Sequence, residues 1–322
     1  SDFISNGVST ELCFVAFCAF TLIIIFAGVQ NGIERVSKIM MPILIVLSVI
    51  IAVYSVTRPG ALAGVKYFLV PNVKNFSWMT VVSAMGQMFY SLSIAMGILI
   101  TFGSYMKKDT AIEDSTRNVE IFDTGIAIMA GLMIIPAVFA FSGGDPDTLQ
   151  AGPSLMFITI PKVFQNMGFG TVIGIVFFLL VLFAAVTSSI ALTESAVSTF
   201  EDELGWGRKK ATVLVGVIML ALGSLSSLGY GPLAGIKIIG MQFLDLFDFL
   251  TNSVMMPIAA LLTSLFVSRV VGIDKIEAEI IHGESAFRRK KVFVVMIKYL
   301  CPVFAIIILL SSVANALGWI KM

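Results

Sequence analysis

Apolar residues dominate eight long stretches of this chain, and most charged residues fall in the gaps between them. The stretches run approximately 9–30, 38–57, 78–105, 118–141, 168–199, 209–229, 240–267 and 293–317. Each reaches the roughly 20 residues that a helix needs to cross hydrocarbon. Two connecting segments carry patterns of their own. Residues 58–77 hold Pro59, Pro71 and an amphipathic piece. Residues 142–167 open on Ser142-Gly143-Gly144-Asp145-Pro146-Asp147 and continue into apolar Leu155-Met156-Phe157-Ile158. An apolar run in an extramembrane loop predicts a piece packed on the helices, so 142–167 is read as an extracellular lid loop.

Composition changes the solvent in which that pattern must be read. Hydrophobic residues are 58% of the chain and charged residues 13%, with a mean hydropathy of +0.99. Soluble domains do not reach such values. The reading is an all-α polytopic membrane protein, multi-pass in the cell (inner) membrane, with the lipid bilayer as its main neighbour. A net charge of +1 gives no hint of nucleic acid as a partner. Cys13, Cys18 and Cys301 are too far apart for a metal site and suggest no disulfide framework. His282 is the only histidine and lies in a charged loop. No nucleophile–base pair or metal-ligand cluster is visible, so the chain does not read as an enzyme and calls for no organic cofactor.

Lys and Arg set the orientation. With the first residue outside, the cytoplasmic loops hold Arg35, Lys38, Lys107, Lys108, Arg117, Arg208, Lys209, Lys210, Arg269, Lys275, Arg288, Arg289, Lys290 and Lys291. The outer side keeps Arg58, Lys66, Lys74, Lys162, Lys237 and Lys321. That asymmetry predicts both ends outside.

Polar residues inside the spans are the candidates for chemistry. Gly86-Gln87-Met88-Phe89-Tyr90-Ser91-Leu92-Ser93-Ile94-Ala95-Met96-Gly97 puts an amide, a phenol and two hydroxyls at mid-span. An unpaired polar group in lipid costs several kcal/mol, so these face other helices or a cavity. Two readings stand. Either Ala95 and Gly97 let the backbone leave helical geometry, or Ser91 and Ser93 bond back to carbonyls one turn earlier. Ala184, Thr187 and Ser188 share one helical face and offer hard oxygens suited to an alkali cation. Back-bonded hydroxyls at a helix contact are the plainer alternative. Asp123 begins the fourth span, as either an intramembrane functional carboxylate or a group within reach of cytoplasmic water. Asp245 and Asp248 are spaced i, i+3 near the outer end of the seventh span, where a solvated helix end explains them equally.

Taken together the chain resembles the neurotransmitter:sodium symporter family, in its bacterial sodium-dependent amino-acid transporter branch. The resemblance is carried by Ile33-Glu34-Arg35-Val36-Ser37-Lys38 with Met41-Pro42, by Gly86 through Gly97, and by Phe102-Gly103-Ser104-Tyr105. It continues through Phe157-Ile158-Thr159-Ile160-Pro161, Thr187-Ser188-Ser189-Ile190-Ala191 and Glu201-Asp202-Glu203-Leu204. Six motifs in the family's order make a specific match. The eight spans look like family helices four to eleven, which implies that the first three family helices are absent from this chain. The implied fold is the inverted-repeat sodium symporter fold with broken helices.

Residue by residue, the resemblance implies the following. Ser91 and Asp123 look like ligands of the first sodium site. The Ala184 carbonyl, Thr187 and Ser188 look like the helix-eight half of the second. The substrate pocket is lined by Tyr90, Ser91, Ser93, Met96, Ser188 and Leu192. Asp123 stands where many relatives have Asn, and a fixed carboxylate there, with Gln87 nearby, replaces the charge of a chloride ion. Asp248 matches the outer gate carboxylate. Ala95 stands where relatives often have Gly. The expected function is sodium-coupled symport of a neutral, hydrophobic or aromatic L-amino acid by alternating access, independent of chloride. The alternative is a non-transporting receptor or scaffold of the same fold. A channel fits less well, because the hydroxyls cluster at one depth.

Overall fold

Asn6 precedes the first apolar run with extended backbone, and its side-chain oxygen accepts from Ser9 N at 3.3 Å. This N-cap starts helix α1, Gly7–Phe26. Gly28, at φ +87°, turns the chain into α2, Val29–Val56, whose first turns over Val29–Glu34 are π-wound. A short helix α3 follows at Ala61–Leu69. Ser77 and Thr80 then form a capping box, with Thr80 N donating to Ser77 Oγ at 3.2 Å, and open α4, Trp78–Ser91. The remaining helices are α5 (Ile98–Ser104), α6 (Ile112–Ser142), α7 (Leu155–Gln165), α8 (Gly170–Leu204), α9 (Arg208–Leu228), α10 (Phe243–Val271), α11 (Ile273–Gly283) and α12 (Lys290–Ala316).

The computed structural model describes residues 6–143, 155–166, 168–284, 286–316 and 319. Residues 144–154 of the expected lid loop lie outside the described residues, as do Met167 and Lys321. Among the described residues, seven helices are long and apolar enough to cross a membrane: α1, α2, α6, α8, α9, α10 and α12. The stretch 78–105 is the exception, because α4 and α5 stand on either side of a non-helical segment at 92–97. Many apolar side chains point outward, among them Leu12, Ile23, Val53, Ile175 and Leu310. In a bilayer that is the expected arrangement, since lipid tails are as apolar as leucine. Helix association there rests on close packing and buried hydrogen bonds.

The chain divides into two compact units. Unit 2 comprises Ile33–Phe76 and Glu120–Ser188. Its core joins Leu44, Ile51 and Ala52 of α2 to Met133, Ala137 and Val138 of α6, and to Ile173, Phe177 and Leu180 of α8. The apolar run after residue 154 forms α7 and sends Ile160, Val163 and Phe164 into this core. Glycine permits the close approach of α3, because a Cβ on Gly64 would stand 2.8 Å from Pro136 Cα. Ser55 Oγ donates to Met133 O at 2.7 Å, binding α2 to α6 without an unpaired hydroxyl.

Unit 1 comprises Ser1–Gly32, Ser77–Val119 and Ser189–Met322. Helices α1 and α9 pack through small residues, Gly216 against Leu22 and Gly223 against Phe14. The start of α6 is capped from far along the sequence. Glu284 Oε1 accepts from Glu113 N at 2.6 Å and from Asp114 N at 3.4 Å. In return, Glu113 Oε2 accepts from Arg288 N at 2.9 Å. A carboxylate at a helix N-terminus satisfies donors that have no partner within the helix and opposes the positive end of its dipole. Replacing Glu284 with alanine is expected to cost about 1 kcal/mol. Faster hydrogen exchange at Glu113 and Asp114, and not further along α6, is the signature; unchanged exchange there refutes the cap.

Candidate functional site

The apolar stretch 78–105 loses its regular winding between α4 and α5. Ser93, Ala95 and Gly97 adopt positive φ of 53°, 64° and 81°. Only glycine reaches that region freely; a side chain adds roughly 1–2 kcal/mol. The last regular bond of α4 closes at Leu92 N to Met88 O, 3.0 Å, after which Ile94 N reaches back five residues to Phe89 O at 3.1 Å. Helical bonding resumes where Thr101 N donates to Gly97 O at 2.9 Å. The stretch between is closely approached from α8, because Ser195 Oγ lies 2.6 Å from where a Gly97 Cβ would stand. The carboxyl end of α4 is therefore directed at the break, and its carbonyls carry the negative end of the helix dipole. Ser91, Ser93 and Met96 all belong to this stretch or its edge.

A cavity of about 420 Å³ in unit 1 gathers Gln87 and Tyr90 of α4 with Asp248 and Asn252 of α10 and Ser312 of α12. It thus joins three of the residues singled out from the sequence, Gln87, Tyr90 and Asp248. Ser91, Ser93, Met96 and Leu192 also belong to unit 1 but are not among its lining residues. Asp248 closes the α-wound start of α10, and the next turn, Phe249–Met255, is π-wound. Asn252 Nδ2 donates to Asp248 Oδ1 at 2.5 Å.

Asp123, Ala184, Thr187 and Ser188 belong to unit 2. Asp123 is half-buried on α6, 11 residues after the helix starts at Ile112. Thr187 Oγ1 donates to Phe183 O at 3.1 Å and to Ala184 O at 3.0 Å. The plainer alternative, a back-bonded hydroxyl, thus describes this geometry correctly. It does not compete with a cation. Back-bonding uses the hydroxyl proton and leaves the oxygen lone pairs, while a carbonyl has a second lone pair of its own.

The polar site that sequence reasoning passed over lies around Glu194 of α8. Its side chain is completely buried, and Arg208 grips it with both terminal nitrogens, Nη2 to Oε2 at 2.6 Å and Nη1 to Oε1 at 3.0 Å. Tyr105, just after α5, donates to Glu194 Oε1 at 2.7 Å. Arg208 Nε donates to Ile25 O at 3.0 Å, capping the end of α1. One network thus ties the ends of α1, α5, α8 and α9. The signal was present: Glu194 is an acid within the expected span 168–199, where such groups mark function or a pairing partner. Glu11 in α1 is a second such acid. It accepts from Ser224 of α9, and its other carboxylate oxygen is buried without a hydrogen-bond partner.

The whole pattern has close parallels. The family model described as the sodium:neurotransmitter symporter family matches residues 4–319. The chain is 34% identical over 314 residues to the sodium-dependent transporter YhdH of Bacillus subtilis, covering 97% of this chain and 69% of that protein. It is 31% identical over 298 residues to a sodium-dependent transporter of Haemophilus influenzae, covering 92% of this chain and 64% of the relative. For the sodium-dependent transporter MJ1319 of Methanocaldococcus jannaschii the identity is 30% over 272 residues, 83% of this chain and 54% of the relative. The crystal structure of MhsT in complex with L-phenylalanine superposes with a TM-score of 0.84 at 34% identity, over 97% of this chain and 70% of that one. The chain therefore spans from about half to about seven tenths of these proteins' lengths.

Proposed function

Because this chain belongs to the sodium:neurotransmitter symporter family, we propose that its complete protein carries out sodium-coupled symport of a neutral, hydrophobic or aromatic L-amino acid. The observation that carries the proposal is the break at 92–97, with three positive φ values in the middle of the apolar stretch 78–105. Irregular backbone at membrane depth is stable only where protein or a water-lined cavity surrounds it. It presents carbonyl oxygens and N–H groups to a small zwitterion, with the Ser91 and Ser93 hydroxyls beside them. Tyr90, Met96 and Leu192 complete the pocket, and the flexible thioether of Met96 adapts to side chains of varied shape. The phenylalanine bound in the MhsT structure supports this class of substrate.

Sodium is the coupled ion and travels as a substrate. Ser91 serves the first sodium position, and the Ala184 carbonyl, Thr187 and Ser188 serve the second. All are hard oxygen donors, which suit an alkali cation. Asp123 supplies a fixed negative charge, so no chloride is needed. Each sodium charge entering the cell gains about 2.3 kcal/mol per 100 mV of membrane potential, in addition to its concentration gradient. Sodium and amino acid bind together in the outward-open state, and closure around both precedes release inside. Asp248 gates the outer side.

The test is uptake of labelled Leu, Tyr or Trp into proteoliposomes holding the complete reading frame that carries this chain. Uptake should require an inward sodium gradient and continue when gluconate replaces chloride. Loss of uptake in gluconate overturns the role of Asp123. Saturable binding without sodium-driven counterflow identifies a receptor in place of a transporter.

A further inference from the structure

Asp248 and Asn252 lie four residues apart on α10, where the helix passes from α to π winding. The 2.5 Å bond from Asn252 Nδ2 to Asp248 Oδ1 has an ionised acceptor, which makes it stronger than a bond between neutral groups. Left to itself, such a carboxylate would sample several rotamers at the cavity wall. One amide from the same helix removes that freedom and leaves the charge intact. Asparagine suits the task because it reaches back four residues, adds no charge and keeps a second N–H for the cavity. The neighbouring turn is held independently, since Thr251 Oγ1 donates to Phe247 O at 2.7 Å.

We infer that Asn252 is a positioning residue, holding the Asp248 carboxylate as an anion aimed into the unit 1 cavity, where it meets an arriving cationic group. The inference rests on the reading of Asp248 as the outer gate, and it adds what sets the aim of that gate. The other titratable groups nearby are Tyr90 of α4, on the cavity wall, and Asp245 on α10; α12 contributes Ile308 and Ser312.

The experiment compares sodium-driven uptake by four variants of the complete protein. Asn252→Leu keeps the volume and loses the donor, and should raise KM about fivefold with little change in maximal rate. Asn252→Gln restores an amide and should recover part of that loss. Asn252→Asp is nearly isosteric and sets two carboxylates side by side, which repel until one takes a proton. Its KM should therefore fall toward the unmodified value as pH is lowered from 7 to 5, a response that lost packing alone would not give. Asp248→Asn is the control for the gate itself. If it leaves KM unchanged, the gate reading fails. If it raises KM while Asn252→Leu does not, or if Asn252→Asp shows no pH response, the positioning role alone is wrong.

Discussion

Replacing Gly97 with valine is expected to remove sodium-dependent substrate binding while a folded membrane protein remains. Two penalties meet at this residue. Its φ of +81° is one that a β-branched side chain reaches only with strain, and its Cβ would stand 2.6 Å from Ser195 Oγ. Together these amount to about 3 kcal/mol, or about a hundredfold in affinity. A milder pair separates the two causes. Gly97→Ala should lose about half as much in free energy, and adding Ser195→Ala should return the steric part, because Ser195 Cβ is 4.0 Å away and in ordinary contact. Ala95→Gly should act in the opposite sense. Alanine there holds φ +64°, and glycine relieves about 1 kcal/mol of strain, which should raise the thermal midpoint. Equilibrium binding of labelled amino acid, with circular dichroism as the control for folding, reads all four variants. Normal affinity in Gly97→Val would mean that the break is not the binding element.

The break also shows what the sequence makes legible. Eight apolar stretches were plain because hydrocarbon demands length and apolarity, and both can be counted. Within 78–105 the small residues Ala95 and Gly97 marked where winding could fail. The close approach of Ser195 to Gly97 comes from 98 residues further along the chain, a contact that no local pattern contains. The same reasoning applies to α6, whose first turn is capped by Glu284 from a distant loop. Asp248 was legible as an acid near a span end, but the amide that holds it was not, because Asn252 has no special character until the helix turn brings the two together. Thr187 was found through its spacing from Ala184, and its hydroxyl proton goes to the Phe183 and Ala184 carbonyls one turn earlier.

Glu194 was legible and overlooked, and its pairing gives the second large expected effect. The Glu194 side chain has 0% exposure while that of Arg208 retains 23%, so the two ends of the pair are not equivalent. Arg208→Met should leave a carboxylate buried beside Tyr105 with no cation, a loss of about 3–5 kcal/mol. Glu194→Gln should cost less, about 1–3 kcal/mol, because the guanidinium can turn its nitrogens toward water and the amide still accepts from Tyr105. Coupling Glu194→Leu with Arg208→Met removes both charges and should recover much of the stability lost in Arg208→Met, since apolar replacement of a buried pair is often neutral. Midpoints of thermal unfolding in detergent, followed by tryptophan fluorescence, rank the three variants. The ordering is the informative part. If burial of the carboxylate governs the network, Arg208→Met melts lowest and the double variant melts above it. If the single variants melt together and the double variant melts below Arg208→Met, the pair acts as two independent surface charges, and the buried environment of Glu194 is not what holds α1, α5, α8 and α9 at this end.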